Sequence, residues 1–173
     1  MHVASRILAI CLLLAGCSES TSLPISGSEA GAALDARAVQ TGVLPNPDRI
    51  EFAGRFETRS DLGIDKFCAV KTDENRFDVG FLAVFGPESK CEGTGTAAVE
   101  GDKVEITLQG KGACTFAARY DGIELRFAGA VESGCARYCS ERASLSGTHY
   151  FMIEPGDIAA RNTLGRDIDR LCD

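Results

Sequence analysis

Cysteine is the residue type with the most chemistry to offer in this 173-residue chain, which carries eight of them. Six of these, Cys68, Cys91, Cys114, Cys135, Cys139 and Cys172, lie beyond residue 60. An even number at wide spacing reads as three disulfides in an exported protein, because the periplasm and the cell surface are oxidising. A zinc-type centre needs thiolates or imidazoles at tight paired spacings. Only Cys135 and Cys139 are close, and three residues separate them (Ala136, Arg137, Tyr138) where a thioredoxin-like motif has two. No metal site is expected. No phosphate-binding loop or dinucleotide fingerprint appears either, so no cofactor is expected.

The other chemistry-bearing residues form no constellation. Apart from His2 the one histidine is His149, inside the strand-like run SGTHYFMI. A catalytic histidine needs a nucleophile and an orienting carboxylate, and no G-x-S-x-G motif accompanies it, so it reads as a structural or surface residue. Among 25 acidic residues, no pair of the kind used in glycoside hydrolysis stands out; most flank turns or occupy polar faces. No catalytic residue is assigned, and an unrecognised hydrolase stays open only as an alternative.

The two remaining cysteines concern address. Arg6 is followed by an apolar run over residues 7–15 (ILAICLLLA), too short to span a bilayer, where about 20 apolar residues are needed. The run ends in Leu14, Ala15, Gly16 and Cys17, which resembles the lipobox of bacterial lipoprotein signal peptides. The resemblance implies that residues 1–16 are a signal peptide, with Cys11 removed along with them. Cys17 would become the acylated N-terminus, carrying chains such as palmitate into the lipid bilayer. Several acyl chains hold far more firmly than one, each buried methylene contributing about 0.8 kcal/mol. Ser18 stands where an Asp would favour the inner membrane, so the expected place is the cell envelope, at the outer membrane facing the periplasm.

Residues 17–48 contain no aromatic side chain and are rich in Ser, Gly, Ala and Pro, a composition that reads as a flexible tether. Roughly 30 such residues reach about 30 Å; the alanine-rich stretch 30–39 can form a short helix within it. Residues 49–173 have the size of one domain. The whole chain has 18 Lys and Arg against 25 Asp and Glu, a net charge of −7. Loss of Arg6 leaves 17 against 25, or −8. That balance argues against nucleic acid and against adhesion to anionic lipid, and is compatible with a basic protein partner.

The domain alternates apolar and polar residues at period two, the mark of a strand with one buried face. Ile50, Phe52, Gly54 and Phe56 share one face of a first strand. Residues 66–71 and 76–85 make a hairpin around Thr72–Asn75, with Phe77, Val79, Phe81 and Phe85 on one face; Leu82 and Val84 suggest that the other face is covered too. A turn at Gly101-Asp102 pairs Glu100 with Lys103. Extending that register brings Cys91 toward Gly112–Cys114 and suggests a Cys91–Cys114 bridge, leaving Cys68, Cys135, Cys139 and Cys172 for the other two. A type I′ signal at Asp121-Gly122 aligns Phe116 with Phe127, Ala118 with Leu125, and Tyr120 with Ile123. Gly93, Gly95, Gly110 and Gly112 read as bulges and turns at strand ends. After Pro155-Gly156, Asp157 can cap a helix carrying Ile158, Leu164, Ile168 and Leu171 on one side. The expected fold is mainly β: a small antiparallel meander closing as a barrel or a sandwich, with a short C-terminal helix and disulfides.

Two resemblances concern the mature domain. Ser146, Gly147 and Tyr150 (SGTHY) resemble the SGxxY motif of periplasmic and membrane-bound inhibitors of C-type lysozyme, which would make these residues partner-binding and the partner basic. The family's second motif, with its Thr-Lys-Gly, is missing. The stretch from Cys114 to Gly147, with its aromatic hairpin, cysteine pair and RASLSG segment, is similar to uncharacterised small lipoproteins of alphaproteobacteria, which implies no activity. The leading expectation is a membrane-anchored module with a non-enzymatic binding or envelope-support role. Inhibition of C-type lysozyme is the alternative. Whether the β interior is filled or hollow separates surface recognition from uptake of a small apolar ligand.

Overall fold

The computed structural model describes residues 29–40 and 51–173. The readings on the signal run, Cys11, Cys17, Ile50 and the rest of residues 1–28 and 41–50 lie outside the described residues. Within residues 17–48, where a tether is expected, α1 (Glu29–Gln40) is a helix. Ala30, Ala32, Ala33 and Ala36 supply the propensity, alanine being the best helix former, and Leu34 is exposed.

From residue 51 on, eight strands follow one another: β1 (Gly54–Ser60), β2 (Gly63–Asp73), β3 (Arg76–Val84), β4 (Lys90–Glu100), β5 (Lys103–Gln109), β6 (Cys114–Tyr120), β7 (Glu124–Phe127) and β8 (His149–Pro155). Each pairs antiparallel with the next, and β8 returns to β1, so the meander closes as a barrel, which leaves the sheet no open edge. Between β7 and β8 lies a 3₁₀ helix, η1 (Ser133–Tyr138), and after β8 comes α2 (Asp157–Arg161).

The hairpin over Thr72–Asn75 forms, with Asp73 opposite Arg76, and so does Glu100 opposite Lys103. The third hairpin differs by two residues: Ala118 faces Phe127, Arg119 faces Arg126 and Tyr120 faces Leu125. The cause is Asp121, whose carboxylate accepts the N–H groups of Ile123 and Glu124 at 2.9 and 2.7 Å and so widens the turn. A slip of two preserves the faces, so Phe116, Ala118, Leu125 and Phe127 still point inward, while Ile123 moves into the turn and is exposed.

The cysteines pair as Cys68–Cys172, Cys91–Cys139 and Cys114–Cys135. The suggested Cys91–Cys114 bridge is not formed, because the β4–β5 ladder ends at Thr94 opposite Gln109. Cys114 sits beyond β5, opposite Leu108. The 3₁₀ turn instead carries Cys135 to Cys114 and sets Cys139 beside Cys91. The CARYC spacing is thus a double staple, tying β4 and β6 to one segment; each bridge contributes roughly 2–4 kcal/mol.

Three other expectations are corrected. Phe85 lies past the end of β3 and is 37% exposed rather than in the core. Gly93 and Gly95 lie inside β4, not at its end: a Cβ on Gly93 would press on Tyr138 and Phe81, and one on Gly95 would collide with the backbone of Thr107 and Leu108. Gly110 and Gly112 do make a turn, at φ of 96° and 113°. The C-terminal helix has only five residues. Gly156 rather than Asp157 is its N-cap, and Ile158 and Leu164 are exposed at 81% and 55%. Asp157 accepts the N–H of Lys71. Residues 162–173 leave the helix because Glu92 takes up the N–H groups of Arg166, Asp167 and Ile168 that a helix would have used.

Candidate ligand-binding surface

An eight-stranded barrel has an interior just wide enough to be filled by side chains or to hold one small ligand. Here it is filled. Phe56, Phe67, Phe81, Phe116, Phe127 and Tyr150 are all buried, with ring centroids from 4.8 Å (Phe116–Phe127) to 6.4 Å (Phe81–Phe127). Phe52, just before β1, stops one mouth. Its ring lies 5.0 Å from Phe77 and 5.3 Å from Tyr120, and the Tyr120 hydroxyl reaches the carbonyls of Glu51 and Gly122 at 3.1 and 2.9 Å. Outside this plug remains a hollow of about 310 Å³. At the other mouth Tyr138 of η1 lies against Gly93, its hydroxyl donating to the Gly112 carbonyl at 2.9 Å.

One side of the outer wall is covered as well. Cys68, Val70, Leu82 and Val84 point outward from β2 and β3 and pack against Ala160, Leu171 and Cys172, forming a second core. This is the cover that Leu82 and Val84 suggested. Gly80 makes it fit, since a Cβ there would collide with the Leu171 backbone. Residues 162–173 form a strap over this wall, pinned by Glu92, which is 3% exposed on the outer face of β4. Its carboxylate binds Lys90 Nζ at 2.6 Å as well as the three strap N–H groups, and Lys90 also meets Asp167 at 2.6 Å. Burial works against the charge on Glu92, but Lys90 and the three N–H groups outweigh it and hold the carboxyl below its usual range. Burial likewise disfavours the charge of Lys90, yet its two carboxylate partners raise its pKa overall. Nothing in the sequence pattern of Lys90 and Glu92 distinguishes them from surface charges; the partner segment is more than 70 residues away.

The sequence-derived partner residues do not come together as a surface. Tyr150 is fully buried among the barrel rings, where burial raises its pKa. Its hydroxyl has no well-formed hydrogen bond, Thr148 being the polar neighbour. Ser146 is half-buried and Gly147, at φ 72°, turns the chain into β8. His149 lies on the outer face in edge contact with Phe151.

A concavity lies on another part of the outer wall, a groove of about 660 Å³ across β4–β7. Ala98, Ala117, Ala128 and Gly129 keep its floor low, with Glu105 opposite both Ala98 and Ala117. Along its edge Lys103 faces Arg119, Arg119 faces Arg126, and Arg126 faces His149, a basic row across four strands. Asp102 pairs with Arg119 at 3.0 Å, and Glu124 pairs with Arg126. Sequence reading missed this row because its members are far apart in the chain and the two-residue slip at Asp121 sets which arginines meet.

Among the described residues no cluster of His, Cys, Asp or Glu could hold a metal ion, and no helix is long and apolar enough to cross a membrane. The carboxyls with displaced pKa values do not line the groove. Asp65 is raised by burial; Asp121 is lowered chiefly by the Glu124 N–H, and Asp167 chiefly by Lys90. The chain matches no protein-family model, none of the curated proteins and no solved structure.

Proposed function

We propose that this protein is a lipid-anchored envelope module that binds a partner or ligand on the outer wall of its barrel and performs no chemistry on it. The observation that carries the reading is the filled interior. Rings occupy the barrel and Phe52 and Tyr138 stop its mouths, so binding falls to the wall, where the alanine-floored groove offers a concavity of about 660 Å³. Acylation at Cys17 would keep the barrel near a membrane through the segment that contains α1.

The test is fractionation after labelling with a palmitate analogue in a Gram-negative host. The parent chain should carry the label and sediment with membranes, whereas Cys17→Ala should lose the label and appear in the soluble fraction. A Cys17→Ala protein found wholly with membranes contradicts the anchor.

A further inference from the structure

We infer that the groove across β4–β7 is a binding site for a small acidic sugar, a sugar phosphate or a uronic acid. The inference deepens the proposed wall-binding function and rests on it. The first argument is register. Lys103, Arg119 and Arg126 stand directly opposite one another on successive strands, about 4.8 Å apart in a sheet. Like charges so placed repel, and only Lys103 has a carboxylate, Glu100, directly opposite it on the neighbouring strand. Asp102 and Glu124 each meet one arginine from the turn end. Exposed pairs of this kind are weak and leave most guanidinium donors unused. A phosphate or carboxylate bridging Arg119 and Arg126 would relieve the repulsion and take bidentate hydrogen bonds, for which guanidinium is the suited group.

The second argument is the floor. Ala98, Ala117 and Ala128 make room for a compact body beside the cations. Glu105 is exposed in the middle of that floor and has no ion pair among the described residues. A carboxylate there accepts hydrogen bonds from hydroxyl groups and is a poor neighbour for an alkyl chain. Anion at the edge, hydroxyl donors over the floor: an acidic sugar offers both, and a fatty acyl chain offers only the first. The groove volume of about 660 Å³ suits one or two sugar rings.

The experiment is a titration of the isotope-labelled mature chain carrying Cys17→Ala, followed by amide NMR, with glucose 1-phosphate, glucuronic acid, uncharged glucose and a soluble uronate polymer as probes. Saturable shifts at Ala98, Glu105, Ala117 and Ala128 are expected with the two acidic sugars at millimolar concentration, weakened by added salt, and none with glucose. Arg119→Gln with Arg126→Gln should weaken binding at least about tenfold, and Ala117→Leu, which fills the floor and leaves the charges, should abolish it. Tighter binding of the polymer would mark an envelope glycan as the source; equal binding would mark the free sugar. Absence of saturable shifts with both acidic sugars, equal shifts with glucose, or unchanged binding in Ala117→Leu overturns the site. These readouts do not involve the anchor, so failure of the groove and failure of membrane attachment are told apart.

Discussion

Cys68 and Cys172 are joined across 104 residues, and the bond holds the last turn of the chain against the outward face of β2. Cys68 points away from the barrel interior, so this bridge staples a strap to the wall, whereas the other two staple η1 over a mouth.

Replacing Cys68 and Cys172 together by alanine should therefore loosen the strap before the barrel. A loop of that length corresponds to roughly 3–5 kcal/mol in the chain-entropy view. Hydrogen exchange should accelerate at the N–H of Leu171, which donates to Thr163, while the amides of β5 and β6 keep their protection. Equal acceleration everywhere would show that strap and barrel unfold as one unit.

The same strap carries a pH dependence. Glu92 has its pKa lowered in the folded chain, so its contribution is complete above the ordinary carboxyl value of about 4.3 and is lost as pH falls through the folded value. Lys90 has its pKa raised, so its contribution is complete below about 10.4 and fades as pH rises through its folded value. Strap protection should be greatest from about pH 5 to 10 and fall first on the acid side. Glu92→Ala, which leaves three strap N–H groups without their acceptor and Lys90 with Asp167 alone, should cost about 1–3 kcal/mol and flatten the acid limb in thermal melts; an acid limb unchanged in that variant would assign the dependence to other carboxyls.

Two buried tyrosines should respond oppositely to loss of a hydroxyl. Tyr120 donates to main-chain carbonyls at the Phe52 plug, so Tyr120→Phe should destabilise by about 0.5–1.5 kcal/mol. The Tyr150 hydroxyl is buried without a well-formed partner, so Tyr150→Phe should be neutral or stabilising by up to about 1–3 kcal/mol. Denaturant midpoints of the two variants check this. A large loss in Tyr150→Phe would show that Thr148 satisfies the hydroxyl.

The antiparallel meander was legible from the sequence because period-two alternation and the turns at Thr72–Asn75 and Gly101-Asp102 are local signals. Parity survived even where register did not: Phe127 pairs two residues away from its expected partner yet still points inward. What escaped was non-local. Disulfide pairing depended on where the 3₁₀ turn carries Cys135 and Cys139. The helix expected from Ile158, Leu164, Ile168 and Leu171 was shortened by a carboxylate on β4, and Gly80 gave no sign that a strap crosses it. The groove was invisible for the same reason, being made of alanines and cations from four strands.

If the interior stays closed, as the packed rings require, binding belongs to the wall. The most direct measurement is a titration of the mature Cys17→Ala chain with an environment-sensitive apolar fluorophore, N-phenyl-1-naphthylamine, with and without fatty acid as competitor. A filled barrel predicts no saturable rise in fluorescence and no competition. A saturable one-to-one uptake displaced by fatty acid would contradict the account, since it would require the rings around Phe127 and Tyr150 to part and admit a ligand.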